Sequence, residues 1–544
     1  MLKSVQISGN FMDFSLDTVV NYFENDDILS GRNQLVKSTD EKAVASDVQT
    51  VLKPLLFKKL QDYIAKNDCE KAILILECIV DFLAPEMYEN SKFWTDAGNC
   101  FKNFKSYDSA IDCYLKAVDF EEFDYDLFRK IGDIYNYDKN EKEQAILYYE
   151  KYVSHIKNNP YVYNVLGHLY ETVYKSDFAD KQISYFETAH KLMPEKIEFL
   201  RNLALVSGKN RRKEKLVKYY EELLKKSNSG NDRFDYGCWS FNNKLFKIAH
   251  KYLIHRFYKE TNATKYPNIN DRLWNGKESI SDKTLLIRYE QGFGDTVMFS
   301  RFVPLVKNSA KKVIFKVQPQ LYSLIKSNFD GIEVIPDTLE YENIDYDRQI
   351  PLLELFSVLK ITNKSEINSG KYLSVQKEKV DAFRSKYINS GTLNVGICYC
   401  GNMEYAGDNR NVPAELIAKL ADIPNVQVYS LQVDNKDDLA QTAQYGKIID
   451  LSHNLKDFED TAIAVESLDL IVSSDNVILN LAGALGKKTF GIFNSYTDYR
   501  WFDVRDDKPF WYKSVKYFQN KKYNDWTETL EDVFSEVDKL SKDL

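Results

Sequence analysis

The 544-residue sequence has no stretch approaching the roughly 20 apolar residues that a membrane span needs, and its first residues, MLKSVQISGNFMDFSL, lack the apolar run of a signal peptide. The expectation is a chain with no transmembrane segment, working in the cytoplasm. It has no CxxC pair either. Its seven cysteines, at 69, 78, 100, 113, 238, 398 and 400, show no zinc-ligand spacing; the first four fall at helical positions, Cys398 and Cys400 alternate along a strand, and all read as buried free thiols. Basic charge is not in excess. A formal charge of −8 and a pI near 5.6 argue against nucleic-acid partners. The one basic knot, NRRKEK at 210–215, sits between two helical patterns and reads as a solvated turn. Histidine is scarce: after residue 283 there is only His453, which reads as a loop residue, so that region offers few bases other than its carboxylates.

At this length one hydrophobic core is not enough, and roughly three or four folding units are expected. The first part repeats itself. Trp94, Ala97, Gly98, Phe101, then Ala110, Tyr114 and Ala117 fall at the large and small positions of the 34-residue tetratricopeptide pattern, a helix–turn–helix. A second unit runs from Phe128, Ile131, Gly132 and Tyr135 to Ala145 and Tyr149 with one inserted residue. A third runs from Tyr163, Leu166, Gly167 and Tyr170 to Phe186, Ala189 and Pro194 with a longer inner loop. Leu200, Leu203, Ala204, Leu216, Tyr220 and Leu223 make a fourth, and a weaker early one ends at Ala72, Leu76, Ile79 and Pro85. Small residues let paired helices approach while large ones fill the gap to the neighbour, so the units stack into a solenoid. Its concave face is a candidate surface for peptide or protein, although a solenoid can also serve as a spacer or dimerisation arm.

After the polar break KKSNSGNDR at 225–233 the repeat spacing is lost, and from Lys283 the period changes. TLLIRY, KVIFKVQ, IEVIPD, NVGICYC, VQVYSLQ, KIIDLS, LDLIVSS and KTFGIFN are short β-rich runs separated by helical stretches, the alternation of parallel sheets covered by helices. There are enough strands for two doubly wound domains, with a seam near Ser390–Gly391. The sequence therefore predicts an irregular cap over 1–50, helical repeats over 51–228, connecting helices over 229–280, and lobes over 281–390 and 391–544.

Two segments can carry chemistry. In QGFGD a strand runs through Gly292 and Gly294 into a helix that opens at Asp295, where backbone packs tightly or approaches a ligand at the carboxyl end of a strand. In Ser473-Ser474-Asp475-Asn476 a strand ends at a helix whose first N–H groups suit a diphosphate. Helix capping by Asp295, and by Asp475 or Asn476, is the competing reading of each.

RYEQGFGDTVMFSRFVPLV at 288–306, GICYCGN with DNRNVP at 396–413, YSLQ at 429–432, DFEDTAIAVESLDLIVSSDNVILNLAGALGKKTFGIF at 457–493 and DYRWFDVRDDKPFWY at 498–512 resemble bacterial proteins that join tetratricopeptide repeats to a glycosyltransferase domain. That domain is similar to the ADP-heptose:lipopolysaccharide heptosyltransferase family, which implies a GT-B fold of two Rossmann-like lobes over roughly residues 270–530, the first on the acceptor side and the second on the nucleotide-sugar donor side. The resemblance makes Asp295 the base for an acceptor hydroxyl, gives donor contacts to Asn402, Arg410, Gln432, Asp475, Asn476 and Asn480, and sets Asp498, Arg500 and Trp501 beside the donor cleft. It implies no bound metal and a nucleotide-sugar co-substrate; the repeats ahead of the domain would present a protein acceptor, or serve as a scaffold in a carbohydrate-assembly complex with a lipid-linked or saccharide acceptor. Where the family commonly has Ser or Thr at 476 and His at 480, this chain has Asn at both. Asn480 cannot bring positive charge to a leaving phosphate, which keeps open a chain that retained the fold for binding and lost the chemistry. The DxD at Asp345-Tyr346-Asp347 reads as the end of a strand.

Overall fold

The computed structural model describes residues 16–38, 45–66, 68–82, 91–258, 272–338, 343–401, 410–434, 437–495, 497–501 and 510–543. Two compact units divide between Pro194 and Glu195. Asn402 and Pro85 lie outside the described residues. Among the described residues no helix is long and apolar enough to cross a membrane.

The first unit is a run of helical hairpins. Ser91–Asn103 pairs with Tyr107–Val118, Asp126–Asp133 with Lys142–His155, and Pro160–Tyr174 with Ala179–Leu192. What the repeated glycines do is explicit. A methyl group at Gly98 would stand 2.5 Å from the Tyr114 ring, at Gly132 2.9 Å from Tyr149, and at Gly167 2.6 Å from Phe186. Each glycine on the first helix is the seat for a ring on the second. The Tyr114 hydroxyl then donates to Asn99 (2.9 Å) and that of Tyr149 to Asp133 (2.7 Å), each the residue after the glycine. The residue inserted into the second unit is absorbed by a π-type turn at Ile134–Asp138, where Lys139 N donates to Ile134 O (3.0 Å). The longer loop of the third is taken up by the 3-10 turn Lys175–Phe178.

Filling such a seat forces the ring to move, so Gly167→Ala is expected to cost about 1–2 kcal/mol despite alanine's better helix propensity. Gly446→Ala, where nothing lies within 4 Å, is the control. Equal denaturant midpoints for the two variants would remove the seat from the account.

Two boundaries differ from the sequence expectation. Residues 1–50 are not wholly irregular: Leu16–Glu24 and Ile28–Ser38 are helices that bury Val19, Phe23, Ile28 and Leu35, because these apolar residues keep a helical spacing although the repeat pattern is absent. At the other end, helices Ile197–Lys209 and Lys213–Lys226 group with the sheets, not with the earlier hairpins. Gly208 seats Trp239 (2.6 Å) and Arg201 Nε bonds the buried carboxylate of Asp232 (2.6 Å), which ties the fourth pair to helix Gly230–Asn242.

In the second unit the first strand among the described residues starts at Ile280. Strands β1 (Ile280–Arg288), β2 (Ala310–Val317), β3 (Glu333–Pro336) and β4 (Arg348–Pro351) form a parallel sheet in the order β3-β2-β1-β4. Strands β5 (Leu393–Cys398), β6 (Val426–Ser430), β7 (Ile448–Asp450), β8 (Leu470–Ser474), β9 (Thr489–Phe493) and β10 (Val515–Gln519) form a second, also parallel, in the order β10-β9-β8-β5-β6-β7. β5, β8 and β9 are buried along their whole length, as parallel strands covered on both faces must be. Helical hairpins followed by two parallel α/β sheets give the repeat-plus-GT-B architecture. The DxD does not end a strand as expected: Asp347, which accepts from Thr284 N (2.8 Å), stands just before β4, so the motif leads into a strand.

The lobes are fastened by Arg301, which donates to Met298 O (2.7 Å) in its own lobe and to Trp511 O (2.6 Å) in the other, with the guanidinium over the rings of Tyr372 and Tyr512.

Candidate active site between the two sheets

β1 is apolar through Leu285, Leu286 and Ile287, all fully buried, and delivers the chain to Tyr289-Glu290-Gln291-Gly292 at its carboxyl end. The tight conformation of this turn falls on Gln291, which has φ +62, and not on either glycine. A side-chain residue held in the left-handed region is strained, by about 1 kcal/mol or more, and such strain concentrates at functional sites. Gly294 is needed for close approach: a methyl group there would stand 3.1 Å from Asn480 Nδ2 and 3.7 Å from Val477 Cα. Gly292 meets only an ordinary contact, Asp295 Oδ2 at 3.6 Å.

Both readings of Asp295 have a counterpart. Oδ2 accepts from Gly292 N (3.1 Å) and caps helix Phe293–Ser300, while Oδ1 is ion-paired with Arg500. Arg500 comes from the 3-10 turn Tyr499–Trp501 of the second lobe, and its Nε also holds Asp498 (2.6 Å). Trp501 Nε1 donates to Asp475 Oδ1 (2.7 Å), and Arg410 Nη1 stands 3.9 Å from Asp475 Oδ2. Asp295, Asp475, Asp498, Arg410, Arg500 and Trp501 therefore form one cluster.

Burial governs its electrostatics. It raises Asp475 above the usual carboxylate range, against the opposing charge of Arg410 and the bond from Trp501. Burial, and then the charge of Asp475, bring Asp498 up to about 7. Burial pulls the Arg500 guanidinium down to about 10, where it is still charged at neutral pH.

The cluster stands at the carboxyl ends of β5 and β8, where the strand order reverses: β5 is followed by β6 on one side and flanked by β8 on the other. In open parallel sheets that crevice is where ligands bind. Around it the predicted donor residues divide into two groups. Arg410, half-buried, and Asp475 face each other. Asn476, Gln432 and Asn480 have their amides engaged by the protein itself. Asn476 Oδ1 accepts from Ile478 N (2.8 Å) and Leu479 N (3.4 Å) and caps helix Val477–Leu485, while Nδ2 donates to Cys398 O (3.2 Å). Gln432 Oε1 accepts from the amides of Tyr399 and Cys400 (both 3.2 Å) and its Nε2 donates to Asp434 O (2.7 Å), so it holds the loop after β5. Asn480 donates to Asn476 O (3.1 Å) and accepts from the Tyr512 hydroxyl (2.8 Å). The small residue Gly483 makes room for the Tyr512 ring, 2.4 Å from where its methyl would be.

Sequence reasoning missed a buried triad behind the loop. Arg256 bonds Glu290 through Nε (2.7 Å) and Nη2 (2.8 Å) and bonds Glu354 through Nη1, and Glu290 also accepts from Leu353 N (2.9 Å). The signal was present in Glu290, a charged residue at the end of an apolar strand and directly before QGFGD.

No family model matches the sequence. The protein FlbA of Caulobacter vibrioides is 24% identical over 283 residues, 47% of this chain and 46% of FlbA, so the chain spans about half the length of this curated relative. Among solved structures, ADP-heptose LPS heptosyltransferase II of E. coli is 14% identical with a TM-score of 0.35, covering 48% of this chain and 99% of that one. A glycosyl transferase family 9 protein from Veillonella parvula is 11% identical with a TM-score of 0.39, covering 49% and 100%. The chain thus combines tetratricopeptide-like helical hairpins with two parallel α/β sheets, and over about half its length it is similar to FlbA.

Proposed function

We propose that this chain is a glycosyltransferase that moves a sugar from a nucleotide-activated donor to a hydroxyl of a protein acceptor met by the helical hairpins. The observation that carries the reading is the single buried cluster in which Asp295, at the carboxyl end of β1, and Asp475, at the carboxyl end of β8, are joined through Arg500 and Trp501. A carboxylate of each lobe then borders one crevice, which suits a reaction between two bound substrates. Asp295 takes the proton of the acceptor hydroxyl as its oxygen attacks the anomeric carbon. The start of helix Val477–Leu485 and Arg410 stabilise the departing nucleotide diphosphate. Asn402 joins this donor side by the resemblance alone. Gln432, Asn476 and Asn480 act by shaping the crevice, since their amides are spent within the protein.

Asp475→Ala is expected to weaken nucleotide-sugar affinity about tenfold or more with the fold intact, because the carboxylate that orients Arg410 and Trp501 is gone. Calorimetry against nucleotide sugars reads it, and unchanged affinity would discard the site. A second reading, donor binding without transfer, is favoured by Asn480, whose amide is tied to Tyr512 and brings no cation to a leaving phosphate. Detectable transfer from any nucleotide sugar separates the two.

A further inference from the structure

The group assigned as the base is held by a cation. Arg500 bridges Asp295 of one lobe and Asp498 of the other, and its Nη1 also lies 3.4 Å from the Oε1 of the strained Gln291. A carboxylate locked in such a pair is a poor proton acceptor, so transfer requires the guanidinium to leave. Resting on the donor reading above, we propose that Arg500 is a two-position residue: it pairs with Asp295 as described here, and moves to the diphosphate of a nucleotide sugar, so that donor binding itself releases the base.

Three features support a side-chain swing on a fixed backbone. On one side Tyr499 is gripped by helix Gly230–Asn242: its carbonyl accepts from Asn242 Nδ2 (3.2 Å) and its ring meets Phe241 edge-on (6.2 Å). On the other, Trp501 is fixed by its bond to Asp475 and by the Phe493 ring (5.1 Å), and Trp511 Nε1 donates to the carbonyl of Arg500 itself (2.8 Å). The phosphate-facing helix start is close at hand, because Gly294, adjacent to Asp295, packs directly on Val477 and Asn480. Charge supplies the direction. The cluster holds three carboxylates against two guanidiniums, and a diphosphate offers Arg500 a stronger, bidentate partner than either aspartate. As Arg500 leaves, Asp498, already raised to about 7, is left to take up a proton. In the step that follows, the acceptor hydroxyl's proton goes to Asp295, its oxygen bonds the anomeric carbon, and the broken carbon–oxygen bond leaves its electron pair on the phosphate, beside Arg500. Donor therefore binds before acceptor.

The test is a double-mutant cycle by calorimetry with ADP, GDP, UDP, TDP and CDP as probes, on the full chain. Asp295→Asn frees Arg500 and is expected to tighten the best-bound diphosphate by about fivefold or more. Arg500→Ala is expected to weaken it by about tenfold or more, and Asp295→Asn to add nothing in that background. Arg500→Lys takes the place of the alanine variant if that protein does not fold, with the same expected loss of the Asp295→Asn gain, since lysine has no planar fork. An Asp295→Asn affinity equal to the wild type, or a gain that persists without Arg500, overturns the swing while leaving the donor site standing. Failure of every diphosphate to bind either the wild type or Asp295→Asn overturns the donor reading itself.

Discussion

Asp295→Asn is expected to lose 100-fold or more of sugar transfer while still binding nucleotide. The amide is nearly isosteric, and its oxygen can go on accepting from Gly292 N, so the cap on helix Phe293–Ser300 survives. What it cannot do is take the hydroxyl proton. Other bases are few: His453, in the turn Ser452–Asn454, is highly exposed and stands by Asp450, away from the cluster. The measurement is the mass added to a protein acceptor incubated with the full chain and a nucleotide sugar, as a rate for each protein. Near wild-type turnover in the variant would sink the assignment of Asp295, and no turnover in either would favour the binding-only reading.

Arg256→Ala should cost about 3–5 kcal/mol of stability, the loss typical when one member of a buried ion pair is removed and its partners remain. Here two carboxylates remain, Glu290 and Glu354, which are 1% and 6% exposed. Burial already raises Glu354 even with Arg256 opposing it. Without the arginine, Glu354 holds its proton still more tightly in the folded chain than in the unfolded one. Between the usual carboxylate value and the raised one the folded chain then binds more protons, so its stability falls as pH rises. The deficit should be larger at about pH 8 than at about pH 5.5. Replacing all three residues by apolar ones of similar volume should cost much less. Denaturant unfolding checks each, and a pH-independent deficit would show that the carboxylates are not what is destabilised. Transfer should fall as well, since Glu290 leads straight into the strained turn at Gln291.

The fold was legible because its signals are periodic. Glycine recurring with an aromatic partner on the following helix marks the hairpins, and uninterrupted apolar runs such as LLI at 285–287 mark strands covered on both faces. The seam at 194–195 was not legible, because Leu200, Leu203 and Leu216 repeat the earlier spacing while the contacts that join them to the sheets, Gly208 with Trp239 and Arg201 with Asp232, depend on partners that no period announces. The same holds at the site. Strand ends followed by Asp295 and by Asp475 could be read from local order. That Asn476, Gln432 and Asn480 would spend their amides on backbone and on Tyr512 could not, since a polar residue beside a crevice looks alike in sequence whether it faces ligand or protein. Arg500 was placed beside the cleft by the family resemblance of the DYRW stretch, but its pairing with Asp295 is a tertiary fact.

The bond from Arg500 to Gln291 beside that pairing spans 209 residues of chain, across both sheets. During synthesis at roughly 5–20 residues per second the first lobe leaves the ribosome well before the segment that completes its acidic turn. β8 must also slide in beside β5, past two strands made in between, and parallel pairings of such long reach form slowly. The reactive centre is thus among the last things the chain assembles. A nascent, frayed or prematurely ended polypeptide can therefore carry folded hairpins without the completed Asp295–Arg500–Asp475 cluster.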